Sequence, residues 1–107
     1  MAALRTLQIW RGTVSSGSWS TKYTVASGYL VVLDAVVMIH TDSGSASGLV
    51  GIDGTYVLSV PLTAYGTSGA MFEWQGKVAV PAGGAIQVAC SSSHHVDMVL
   101  SGKIYYV

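Results

Sequence analysis

Met71-Phe-Glu-Trp-Gln-Gly-Lys-Val-Ala-Val80 alternates by twos. Phe72, Trp74, Gly76, Val78 and Val80 fall on one face, and Met71, Glu73, Gln75, Lys77 and Ala79 on the other. Successive side chains of a strand point to opposite faces, so this stretch predicts a half-buried β-strand. The same period runs outward in both directions. Val96, Met98, Leu100, Gly102, Ile104 and Tyr106 share one face, as do Tyr56, Leu58, Val60 and Leu62, and Ile86, Val88 and Cys90. Ser15–Ser18, Ala26-Ser27-Gly28, Gly66–Gly69, Pro81–Gly84 and Ser91–His94 have turn composition. Asp42–Gly48 reads as a flexible surface loop, which leaves a strand only over Leu49–Ile52. Asp53-Gly54, between apolar runs, is a two-residue hairpin signal. Further strands are expected near Leu4–Thr13, Trp19–Val25 and Tyr29–Thr41. The expected fold is therefore all-β: one antiparallel β-sandwich domain over 1–107, jelly-roll-like, with eight strands.

Tyr29–Ile39 departs from simple alternation, because both of its faces are apolar. Read at strict period two, Leu30, Val32, Val36 and Met38 lie on one face. Tyr29, Val31, Leu33, Val37 and Ile39 lie on the other. A strand apolar on both faces is covered on both, and the expected cover for the second face is a neighbouring subunit, ahead of a loop or the amino-terminal strand. Asp34 falls in phase with Val32 and Val36, where a carboxylate needs a partner. Arg5, Arg11 or another subunit could supply one.

Composition narrows the function. Half of the 107 residues are hydrophobic, mean hydropathy is +0.51, and only 9% are charged, against about 25% in an average soluble domain. Five basic and five acidic residues cancel. That argues against a nucleic-acid partner, which calls for a basic surplus. The longest apolar run, Tyr29–Ile39, is interrupted by Asp34 and is too short for a membrane span, which takes ~20 residues. A nearly uncharged surface instead favours association with other subunits. Cys90 is the single cysteine. In phase with Ile86 and Val88, it reads as a buried, inert thiol rather than a nucleophile.

No residue pattern specifies catalysis or a cofactor. There is no phosphate-binding loop and no nucleophile elbow. His94 and His95 are adjacent, so a regular strand would aim them at opposite faces and no metal is expected there. His95 does share a face with Asp97. Trp74 reads as core, Trp10 as out of phase with Leu7 and Ile9 and so outward-facing, and Trp19 as an anchor after a Ser-Gly loop. The candidate subunit or partner interface is Leu7, Ile9, Trp10, Trp19, Tyr29, Val31, Leu33 and Asp34.

Tyr23-Thr-Val-Ala-Ser-Gly-Tyr-Leu-Val-Val-Leu-Asp-Ala-Val-Val37 resembles the opening strand–turn–strand phrase of small tailed-phage virion proteins, with Ala26-Ser27 where proline-alanine is usual. Val78-Ala-Val-Pro-Ala-Gly83, then Ile86-Gln-Val-Ala89 and Val96-Asp-Met-Val-Leu-Ser-Gly102, resembles the second half of capsid decoration, head-fibre and minor tail proteins. The likeness runs from Ile9 to Tyr105. It implies a β-sandwich virion component on the capsid surface, a homo-oligomer, commonly a trimer, with the major capsid protein as partner and no catalytic residues. Residues 1–10 would be either a capsid-facing arm or the first strand. The alternative it implies is a tail or head-fibre adsorption module that binds a host cell-surface glycan.

Overall fold

The computed structural model describes residues 3–40, 45–63, 70–91 and 94–107. Eight strands form: β1 (Ala3–Val14), β2 (Ser20–Thr24), β3 (Tyr29–His40), β4 (Ser45–Ile52), β5 (Thr55–Thr63), β6 (Ala70–Val80), β7 (Ala85–Cys90) and β8 (Val96–Tyr106). They make two four-stranded sheets, ordered β1-β8-β3-β6 and β2-β7-β4-β5, and every pairing is antiparallel. Only β4 and β5 are both consecutive and hydrogen-bonded neighbours; the other connections pass between sheets. That order is the jelly-roll form of the sandwich.

Val31, Leu33, Val36, Met38, Val80, Met98 and Leu100 of the first sheet meet Val50, Leu62, Ile86, Val88 and Cys90 of the second. Phe72, Trp74 and Val78 pack against this core from the edge strand β6, as their alternation predicts. The single hairpin turns at Asp53-Gly54, both with positive φ (51° and 80°), the conformation a two-residue type I′ turn requires. Asp53 also joins strands that are distant in sequence. Its N–H donates to the Ala85 carbonyl at 3.0 Å, and its Oδ1 accepts from the Ala85 N–H at 3.0 Å. Asp53→Ala removes that acceptor and leaves a Cβ-bearing residue in the left-handed region. It should lower stability by about 2 kcal/mol, read as a lower urea midpoint with an unchanged slope.

Three expectations are corrected. First, Ser45–Gly48 belong to β4 and are not loop. Ala46 is buried, and a Cβ added at Gly48 would collide with the Met38 sulfur, so small residues stand here because long methionines fill the space. Asp42–Gly44 lie outside the described residues, as do Gly66–Gly69, Ser92 and Ser93. Second, β3 does not keep one phase. Its register on β8 passes from Leu33↔Gly102 to Ala35↔Ser101, with a bulge at Asp34. Val31 and Leu33 point inward before it; Val36, Met38 and His40 point inward after it. A bulge adds one residue to one strand and so exchanges the faces beyond it. Third, β1 carries the same device. Its register shifts between Gln8 and Trp10, so both Ile9 and Trp10 turn toward the core. Trp10 is therefore not outward-facing. Lys22 lies over its ring, 4.8 Å from the centroid. The described residues 3–10 begin β1 and pair with β8.

Candidate interaction face

The eight candidate interface residues do not form one surface. Val31 and Leu33 are fully buried, Ile9 nearly so, and Leu7, Trp10 and Tyr29 pack against the same core. Their apolar character is accounted for inside the chain. Trp19 lies on the outer side of the other sheet. Its ring covers Gly51 so closely that a Cβ there would meet ring carbons at 2.7–3.0 Å, and it tilts against Tyr56 with centroids 5.2 Å apart. Asp34 sits half-buried at the β3 bulge. Among the described residues no ion pair joins it to Arg5 or Arg11.

What the bulge creates is more informative. Beyond it, the residues turned away from the core are Ala35, Val37 and Ile39, continuing the line of Leu30 and Val32. Cross-strand register places them in four rows. Thr13, Asp97, Ile39 and Met71 form the first; Arg11, Val99, Val37 and Glu73 the second. Gln8, Ser101, Ala35 and Gln75 form the third; Thr6, Lys103, Val32 and Ala79 the fourth. The centre of this face is therefore largely hydrocarbon, Val99, Val37 and Ala35 with the small Ser101 among them, and its charges stand at the margins and at the two ends of β8. Met71 is 62% exposed and Ile39 37%, and none of the described residues covers them. The Thr13 hydroxyl donates to Asp97 Oδ1 at 2.6 Å, which holds that carboxylate over the strand. A shallow depression of about 320 Å³ opens between Arg11, Thr13, Ile39, Asp97 and Val99. Single apolar residues on a surface need no explanation, whereas a contiguous apolar patch with a polar border marks an interaction site.

The two ends of the sandwich differ. At one, Tyr29 stacks on Tyr106 at 5.6 Å beside a depression of about 350 Å³ lined by Gly28, Leu30, Pro81, Ala82 and Val107. At the other lies a histidine the sequence reading did not single out. His40 is fully buried, its Nδ1 is 3.3 Å from the His95 carbonyl oxygen, and its ring meets the edge of His94 at 5.5 Å. The phase shift at Asp34 is the signal that would have found it, since Val36, Met38 and His40 share one face. His94 is thus half-buried against His40. Cys90 is buried, with its thiol toward the Val14 carbonyl at 3.4 Å and the His94 carbonyl at 3.5 Å. Among the described residues no group of three His, Cys, Asp or Glu side chains could hold a metal ion. No helix there is long and apolar enough to cross a membrane.

No family model matches the chain, and no curated protein matches it. Among solved structures, it is similar to a chain of "Structure of infectious bursal disease virus Gt strain", with a TM-score of 0.47 and 13% identity. The match covers 94% of this chain and 32% of that one, so this chain spans about a third of its length.

Proposed function

We propose that this protein is a structural component of a virus particle, most simply a decoration protein of a tailed bacteriophage that binds the assembled capsid as an oligomer. The observation that carries the reading is the uncovered apolar face on β1-β8-β3-β6, in a domain with 9% charged residues. Such a face is built for contact with other protein. The strand–turn phrases at Tyr23–Val37 and Val78–Gly83 support a virion setting, and jelly rolls recur among capsid domains, although fold alone does not assign function. The mechanism is mass action. A protein that binds only the assembled shell stabilises it by the binding free energy, and an oligomer that contacts several shell subunits gains effective concentration.

Co-sedimentation of the purified chain with undecorated phage heads tests the reading. Saturable pelleting at a fixed ratio to the major capsid protein is expected, together with heads that withstand higher temperature. Heads that sediment bare and melt unchanged would refute it.

The second reading, a glycan-binding adsorption module, is favoured by the Trp19–Tyr56 pair. Tyr56 is 63% exposed. Beside the pair, the Gln87 side chain accepts from the Gly54 N–H and donates to the Thr21 hydroxyl. Aromatic rings beside amide and hydroxyl groups suit a sugar face. Binding to a glycan array that Trp19→Ala and Tyr56→Ala both abolish, without binding to heads, would establish this reading in place of the first.

A further inference from the structure

We infer that the outer face of β1-β8-β3-β6 is a twofold interface that pairs this chain with a second copy of itself, strands running antiparallel across the contact. The inference rests on how charge is laid out along β8. Asp97 and Lys103 both point outward and stand six residues apart, which is ~20 Å along a strand. The axis lies across the strands, midway between them. It passes between Val99 and Ser101 on β8 and between Val37 and Ala35 on β3.

An isologous contact sets residue i on residue j and j on i. Here Asp97 of each copy meets Lys103 of the other, making two ion pairs from one. Along β3, Ile39 meets Val32 and Val37 meets Ala35, so hydrocarbon faces hydrocarbon, and on β8 Val99 meets the small Ser101. At the edges Arg11 meets Gln8, Glu73 meets Gln75, Met71 meets Ala79 and Thr13 meets Thr6. No like charges are apposed. The other in-plane twofold, parallel to the strands, would set Arg11 on Glu73. It would also press Asp97 onto Ile39 and Lys103 onto Val32, desolvating four charges against hydrocarbon. The layout on the face therefore selects the first axis.

The size is adequate. Four strands ~4.8 Å apart and ~30 Å long present roughly 550 Å² per copy, or about 1,100 Å² for the pair. That clears the ~1,000 Å² expected of a specific contact and agrees with association in the micromolar range. Pairing also covers the second apolar side of β3, the side that no described part of the chain covers. It rests on the same face that carries the proposed function and names a second copy as the occupant of that face, which leaves shell contact to the remaining surfaces of the dimer.

Sedimentation equilibrium of the purified chain at about 100 µM is the test. A dimer is expected. Asp97→Lys apposes two lysines and Lys103→Asp two aspartates, so each should weaken the dimer at least about tenfold. The double variant Asp97→Lys/Lys103→Asp restores opposite charges and should return dissociation to within about threefold of wild type. Both side chains are exposed, so the fold tolerates the changes, and circular dichroism verifies it. A monomer or a trimer in the wild type would overturn the inference. So would single variants that remain dimeric, or a double variant as weak as either single one. Pelleting of the wild-type chain with phage heads reads shell binding separately, because sedimentation of the chain alone involves no heads, so failure of one reading is not mistaken for failure of the other.

Discussion

Gly102→Val should destabilise the fold by at least about 3 kcal/mol, a large part of the roughly 5–16 kcal/mol available to a domain of this length. Gly102 faces the core from β8, between Leu33 of β3 and Leu7 of β1. The β3 bulge turns the Val32 carbonyl over its Cα, so an added Cβ would collide with that oxygen and crowd Ile9 Cδ1 at 3.1 Å. A flexible side chain could swing away. A backbone carbonyl can yield only if the bulge unwinds, and unwinding would return β3 to strict alternation, exchanging the faces of Val36 and Met38 with those of Ala35 and Val37. Urea denaturation followed by circular dichroism measures the loss. Gly83→Ala is the control: Gly83 has φ 85° with open space around it, so only the backbone conformation is strained, by about 1 kcal/mol. Equal midpoints for Gly102→Val and wild type would mean that the bulge does not sit against β8 as described.

Leu33→Ala should lose about 3 kcal/mol, and the loss should not change with protein concentration. Leu33 is fully buried within the chain, next to the bulge and level with Gly102 and Val78 on the flanking strands. Truncation removes three carbons and leaves a cavity that the sheet on either side cannot close. A residue that served a subunit contact would behave differently: its loss would shift the association constant and leave the monomer's stability nearly intact. Melting curves taken across a hundredfold range of concentration separate the two. Val37→Ala is the informative comparison, because Val37 is turned to the outer face and its truncation should act mainly on self-association.

These two positions show where the sequence could be read and where it could not. Strand positions were legible wherever side chains alternate without interruption, as in Met71–Val80 and Val96–Tyr106, and Asp53-Gly54 announced its hairpin. Ser45–Gly48 were illegible as strand because their composition is that of a turn, while their smallness is demanded by Met38 on a neighbouring element. Of the eight candidate interface residues, seven lie on β1 and β3, where register shifts decide which side chains face out. Strand β1 carries two register shifts, between Ala3 and Arg5 and between Gln8 and Trp10, and β3 carries one, at Asp34. The apolar face that emerged is made of Val32, Ala35, Val37 and Ile39 with Val99 between charged ends, and a strict period-two reading divides these residues between opposite sides.

Local alternation, turn chemistry and the scarcity of charge determined from sequence alone that this chain is an eight-stranded sandwich with apolar surface to cover. Tertiary structure alone decided which side of β3 faces out, where the small residues of β4 sit, and that Asp97 and Lys103 bracket a hydrocarbon centre. The reason is physical. Alternation belongs to a single strand and is written in it residue by residue, whereas a bulge is a mismatch between two strands and exists only once both are paired.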